Sequence, residues 1–120
     1  MKGIKKTNPN LESLIAELKT ASRVNEAPIW RTVAKKLEKP ARVWAEVNIA
    51  SIEKYAQPKE SVLIAGKLLG NGILTKPVTV AAYSASKMAI RKVERAGGRF
   101  IRIAELAAQN PKGSGIRIMG

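Results

Sequence analysis

Hydrophobic residues fall along this chain in two rhythms, helical through the first third and strand-like further on. Leu11, Leu14, Ile15 and Leu18 recur at i, i+3, i+4 and i+7, which lines them along one face of a helix with 3.6 residues per turn. Asn8-Pro9 supplies its start, Asn as cap and Pro at the first helical position, and the pattern runs to about Val24. Pro28 opens a second helix whose apolar stripe is Ile29, Trp30, Val33 and Leu37, and Pro40 closes it because its ring cannot continue the helix. VWAEV at 43–47 alternates, as a short strand or an extended connection would, and Asn48 is placed to cap a short helix, IASIEKYA, that ends before Pro58. Val62 to Leu69 is an apolar run with one lysine, predicted as a strand buried on both faces. Gly70-Asn71-Gly72 has the chemistry of a tight turn or hairpin, and Val78 to Ala82 reads as the next strand. Ser84 then caps a helix that puts Ala85, Ala89, Val93 and Ala96 on one face and Lys87, Arg91 and Arg95 on the other, with Gly97-Gly98 as its stop. Arg99 to Ile103 and Ile116 to Ile118 are predicted strands, separated by a small helix over Ala104 to Gln109.

These elements predict an α/β fold in a single domain over residues 1–120. A basic, unpatterned arm at 1–7, expected to be mobile in the free protein, precedes a basic helical part at 8–42 and an α/β core at 43–120. No internal repeat or low-complexity stretch interrupts it. A chain of this length buries roughly two-thirds of its unfolded surface, enough to fold without a staple, and it has no cysteine from which to make one. No segment approaches the roughly 18 continuous apolar residues of a membrane span. The start MKGIKKTNPN lacks the apolar centre of a signal peptide, so a cytosolic protein with no membrane partner is expected.

Charge changes the picture. The chain holds 22 Lys and Arg against 9 acids, a formal charge of +13, which attracts polyanions over its whole surface. Residues 1–42 carry ten basic and four acidic side chains, residues 43–83 four and three, and residues 84–120 eight and two. Net charges of +6, +1 and +6 thus place a nearly neutral apolar middle between two basic ends, the distribution of a packed core flanked by phosphate-facing surfaces. Acidic lipid is the rival polyanion, but no segment sets a bulky aromatic face against a lysine face.

All nine acids are Glu, and Asp and His are absent, which removes Ser-His-Asp catalysis, histidine acid–base chemistry and His-containing metal sites. Tyr83-x-x-x-Lys87 resembles the catalytic pair of short-chain dehydrogenases. That chemistry needs a glycine-rich strand-to-helix turn far upstream, where residues 1–40 offer only Gly3, and a chain about twice as long. Ser84-x-x-Lys87 lacks the companion motifs of a β-lactamase. Gly70-x-Gly72 has Thr75 where a dinucleotide fingerprint needs its third glycine, and Leu68 follows Gly66-Lys67 where a phosphate loop needs Ser or Thr. Trp30 and Trp44 are assigned to packing rather than base stacking.

The block Lys67-Leu-Leu-Gly70-x-Gly72, the apolar strand, the Ser84 helix start and the AGG stop closely resembles the signature of a ribosomal family that joins bacterial large-subunit protein fifteen to archaeal and eukaryotic protein eighteen-e. NPKGSG at Asn110 to Gly115 resembles a loop of the eighteen-e branch, and the absence of a long basic extension after it fits the archaeal form. The resemblance implies an irregular winding of short strands and helices behind the two N-terminal helices, and a structural role without catalysis or cofactor. The partners it implies are large-subunit rRNA and neighbouring ribosomal proteins, in the ribosome of the cytoplasm. No small-molecule substrate is expected.

The rRNA-facing residues expected are Lys2, Lys5 and Lys6 of the arm; Arg31, Lys35, Lys36, Lys39 and Arg42 in and after the second helix; Lys87, Arg91 and Arg95; and Lys112, Gly113 and Ser114 of the last loop. The rival is a DNA-binding or chromatin-like module, because Asn25-Glu26-Ala27 is short enough for a helix-turn-helix. A small Tyr/Lys reductase is the remote third.

Overall fold

A computed structural model describes residues 9–119, so the Asn8 cap and the 1–7 arm with Lys2, Lys5 and Lys6 lie outside the described residues. The elements are α1 (Pro9–Asn25), α2 (Pro28–Glu38), a 3-10 turn (Ala41–Val43), β1 (Ala45–Asn48), α3 (Ile49–Tyr55), β2 (Ser61–Leu69), β3 (Thr79–Ala85), α4 (Lys87–Arg95), β4 (Arg99–Arg102), α5 (Ile103–Gln109) and β5 (Ile116–Met119). Most match the predicted segments within a residue or two.

Every strand pairing is parallel. The sheet runs β1-β2-β3-β4, and β5 pairs with β2 through Ser61 to Ile64 while β1 pairs with the other half of the same edge through Gly66 to Leu69. Purely parallel sheets are covered on both faces, and β2 shows it residue by residue. Val62, Ile64 and Leu68 join one core with Ile49 and Ile52 of α3 and Ala89 and Val93 of α4. Leu63 and Ala65 join the other, with Leu18 of α1, Trp30, Val33, Ala34 and Leu37 of α2, and Leu106 of α5. The molecule is therefore a three-layer α/β/α plate.

Two expectations fail here for physical reasons. Gly70-Asn71-Gly72 does not turn a hairpin, because β2 and β3 are parallel and the chain must travel back the length of β2 before β3 begins. Residues 70–78 do this nearly straight: nine residues reach about 30 Å when extended, close to the length of the nine-residue β2. The crossover lies in the α3/α4 layer, with Leu74 and Val78 buried in that core. Nor does Ser84 cap a helix. Ser84 and Ala85 still pair with Lys67 and Leu68, and the Ser86 N–H donates to the Leu68 carbonyl at 3.0 Å, which holds the backbone extended to that point. Ser86 is the cap, its hydroxyl accepting from the Ala89 N–H at 3.2 Å. Asn48 occupies the cap position of α3 with extended backbone, but its side chain makes no capping bond.

Candidate nucleic-acid interface

The basic residues sort by layer. On α2, burial of Trp30, Val33, Ala34 and Leu37 against the sheet leaves Arg31, Lys35 and Lys39 exposed at four-residue spacing, with Lys36 half-buried beside them and Arg42 exposed after Pro40. On α4, burial of Ala89 and Val93 leaves Lys87, Arg91 and Arg95 exposed. The predicted ladders thus exist as exposed rows, but on opposite outer layers of the plate.

Loop 110–115 belongs with the α2 ladder. The Trp30 indole N–H donates to the Pro111 carbonyl at 2.8 Å, Gly113 sits directly on Ile29, and the Lys112 ammonium reaches the Asn25 carbonyl at 3.3 Å. The loop is closed by its own bonds, Asn110 Nδ2 to the Ser114 carbonyl at 2.8 Å and the Gly113 N–H to the Asn110 carbonyl at 3.0 Å. Gly113 has φ +71 and touches the Ile29 side chain where a Cβ would stand, so only glycine suits the position. This packing also covers Ile29 and Trp30 in the first turn of α2, the part of a recognition helix that would read bases, which counts against the helix-turn-helix.

Few acids neutralise these rows. Among the described residues the ion pairs are Lys19 with Glu38 at 2.7 Å and Arg117 with Glu60 at 2.9 Å. Arg31, Lys35, Lys39, Lys87, Arg91 and Arg95 make neither an ion pair nor a side-chain hydrogen bond within the described residues. The Glu60 carboxyl is held below its ordinary pKa by the Arg117 bond and by the Gln57 N–H. Glu53 is lowered too, chiefly by the Thr75 N–H at 2.9 Å and then by the Thr75 hydroxyl at 2.7 Å.

Sequence reasoning missed two lysines that act inside the fold. Lys92 donates to the carbonyls of Gly70 at 2.6 Å and Gly72 at 2.5 Å, and Lys76 donates to those of Glu53 at 2.6 Å and Ala56 at 2.9 Å. Together with Glu53 they pin the helix-free crossover to α3 and α4. The signal for Lys92 was its place on α4, beside Ala89, Val93 and Ala96 rather than in the exposed row.

The dehydrogenase-like pair comes apart. Tyr83 stands on β3, its ring edge-on to Trp44 at 5.0 Å between centroids, whereas Lys87 opens α4 beyond the Ser86 cap, so they do not share a helix face. Trp30 is fully buried and the half-buried Trp44 donates its indole N–H to the Lys39 carbonyl at 2.8 Å, so both pack as expected. Among the described residues no helix is long and apolar enough to cross a membrane.

The fold is a cation-rich α/β/α plate, and comparison with known proteins places it further. The family described as "Ribosomal proteins 50S-L15, 50S-L18e, 60S-L27A" matches residues 10–101, and the chain belongs to this family. Similar proteins carry the name large ribosomal subunit protein eL18. That of Archaeoglobus fulgidus is 53% identical over 97% of this chain and 99% of its own length, and that of Methanococcus maripaludis is 51% identical over 99% of each. That of Haloarcula marismortui is 46% identical over 95% of this chain and 97% of its own. These relatives carry the eighteen-e name that the NPKGSG loop implied and come from archaea, and the family is one of structural proteins: this chain is not an enzyme.

Proposed function

We propose that this protein is a structural constituent of the large ribosomal subunit, working in translation in the cytoplasm, and that it braces folded rRNA by contacts from both of its outer layers. The observation that carries this reading is the pair of exposed cationic rows, Arg31, Lys35 and Lys39 on one layer and Lys87, Arg91 and Arg95 on the other, none with an acidic partner among the described residues. In the free protein each row repels itself, and phosphates remove that repulsion while releasing condensed counterions. Lys36, Arg42, Lys112, Gly113 and Ser114 extend the α2 row, and Lys2, Lys5 and Lys6 add contacts from the N-terminal arm. Such contacts fix position and orientation without reading sequence. Neighbouring ribosomal proteins complete the surroundings.

Binding to large-subunit rRNA measured from about 0.05 to 0.5 M salt tests the reading. Six phosphate contacts give a log–log slope of about minus four to minus five. A slope near zero, or failure to co-sediment with large subunits at moderate salt, refutes it.

A further inference from the structure

At the C-terminal ends of β1, β2 and β3 the start of the crossover arches over the sheet. Asn48, Leu69, Asn71, Ser86, Met88 and Lys92 line an open cleft there, with a volume of about 580 Å³. Its apolar wall is Leu69 and Met88, and Met88 is 59% exposed although it stands next to the fully buried Ala89. Two of its polar groups are unspent. Asn48 holds the cap position of α3 without capping it, and neither its amide nor that of Asn71 has a hydrogen-bond partner among the described residues. Its floor is fixed. Lys92 grips the Gly70 and Gly72 carbonyls, and the Ala50 N–H donates to the Asn71 carbonyl at 3.0 Å. Two of the three ammonium protons of Lys92 are thereby used and one is left for a phosphate. The closeness depends on glycine: a Cβ on Gly72 would meet Ala50 at 2.6 Å, and one on Gly70 would meet Met88 at 3.0 Å.

We propose that this cleft takes a single unstacked nucleobase of the bound rRNA. The inference rests on the rRNA-binding reading above and deepens it, since the exposed rows supply charge alone whereas this cleft supplies contacts to a base. Leu69 and Met88 meet a base face, the Asn48 and Asn71 amides offer donors and acceptors to its edge, and Lys92 draws its phosphate. Single-stranded, splayed bases are the features by which RNA sequence is usually recognised. A preformed cleft avoids the ordering cost a flexible loop would add.

The test uses the full chain, large-subunit rRNA as the probe, and the variants Asn71→Ala, Asn48→Ala and Met88→Ser. Each is expected to melt within a few degrees of the parent, to lose about tenfold in affinity, and to keep the parent's salt slope because no charge changes. Dimethyl sulfate or carbodiimide probing should show one base protected by the parent and exposed again with Asn71→Ala, while the backbone footprint elsewhere persists. A parent that binds rRNA with the expected slope while the variants bind within twofold, with no protection lost, overturns the cleft alone. A photo-crosslinker at position 71 that captures a ribosomal protein instead of rRNA in assembled subunits also overturns it. If the parent itself shows no salt-dependent binding, the rRNA reading falls and the cleft with it.

Discussion

Reversing the α2 row, Arg31→Glu with Lys35→Glu and Lys39→Glu, separates its electrostatic role from its place in the fold. All three are exposed and unpartnered among the described residues, so little packing is lost. The helix dipole opposes itself here: Glu is welcome at position 31 near the N-terminus of α2 and unwelcome at 35 and 39 near its C-terminus, each by about 0.3–1 kcal/mol. The net destabilisation is therefore about 1 kcal/mol, a small shift in melting temperature. Binding should change far more. Three lost phosphate contacts remove about two to three units of salt slope, and at about 0.15 M salt this amounts to about hundredfold in affinity before repulsion by the new carboxylates is added. The assays are thermal melting by circular dichroism and rRNA binding across a salt series. A variant that folds and retains the parent's slope refutes the assignment of this face to rRNA; one that unfolds refutes the orientation of α2.

The folded pKa values of Glu53 and Glu60 are lowered, so their contributions to stability are present above the ordinary carboxylate range of about 4.3 and are lost as pH falls through the lowered values. The melting temperature should fall as pH drops below that range, and Glu53→Gln with Glu60→Gln should flatten that limb; an equally steep limb in the double variant would count against both sites. Gly66→Ala should destabilise by more than about 3 kcal/mol, because a Cβ there collides with the Ala45 carbonyl across the β1–β2 pairing; a normal chemical melt would show that β1 is not seated as described. Tyr83→Phe and Lys87→Ala should leave no enzymatic defect, and titration with NADP should show no saturable binding; micromolar binding lost in Lys87→Ala would revive the reductase.

What the sequence reveals is what depends on local geometry. The i, i+4 spacing of Arg31, Lys35 and Lys39 opposite a Trp30, Val33 and Leu37 stripe is enough to place them on an exposed face, and the unbroken apolar run of β2 is enough to require cover on both sides. What stays hidden depends on partners far away in the chain. Gly70-Asn71-Gly72 has the composition of a turn in any context; its glycines are needed because Ala50 and Met88 crowd them, and both come from other elements. Ser84 and Ser86 are equally good caps by residue type, and the choice falls to Ser86 only because β2 holds residues 84–85 in the sheet. Lys76 looks like any surface cation, and Lys92 is marked only by its place on the apolar side of α4; the carbonyls they bind come from other elements. The side of the sheet on which each helix lies is likewise set by the crossovers, so the opposition of the two cationic rows could not be read from spacing.

That opposition decides what kind of contact the protein can make. The Cα extents are 42 × 35 × 17 Å, so the plate is thin, but the rows project outward from helices on its two outer layers. Their separation therefore exceeds the Debye length of about 8 Å at physiological salt, and each row behaves as an independent anion site. A single rRNA strand or helix lying on one layer leaves the other row exposed and unneutralised. Both are satisfied only when the plate stands between two segments of RNA, and then each segment binds a surface already fixed by the rigid parallel sheet. Losses from reversing the two rows should accordingly add, as they do for distant sites without shared partners. A strongly coupled double reversal would mean instead that one RNA element wraps around the edge of the sheet to reach both.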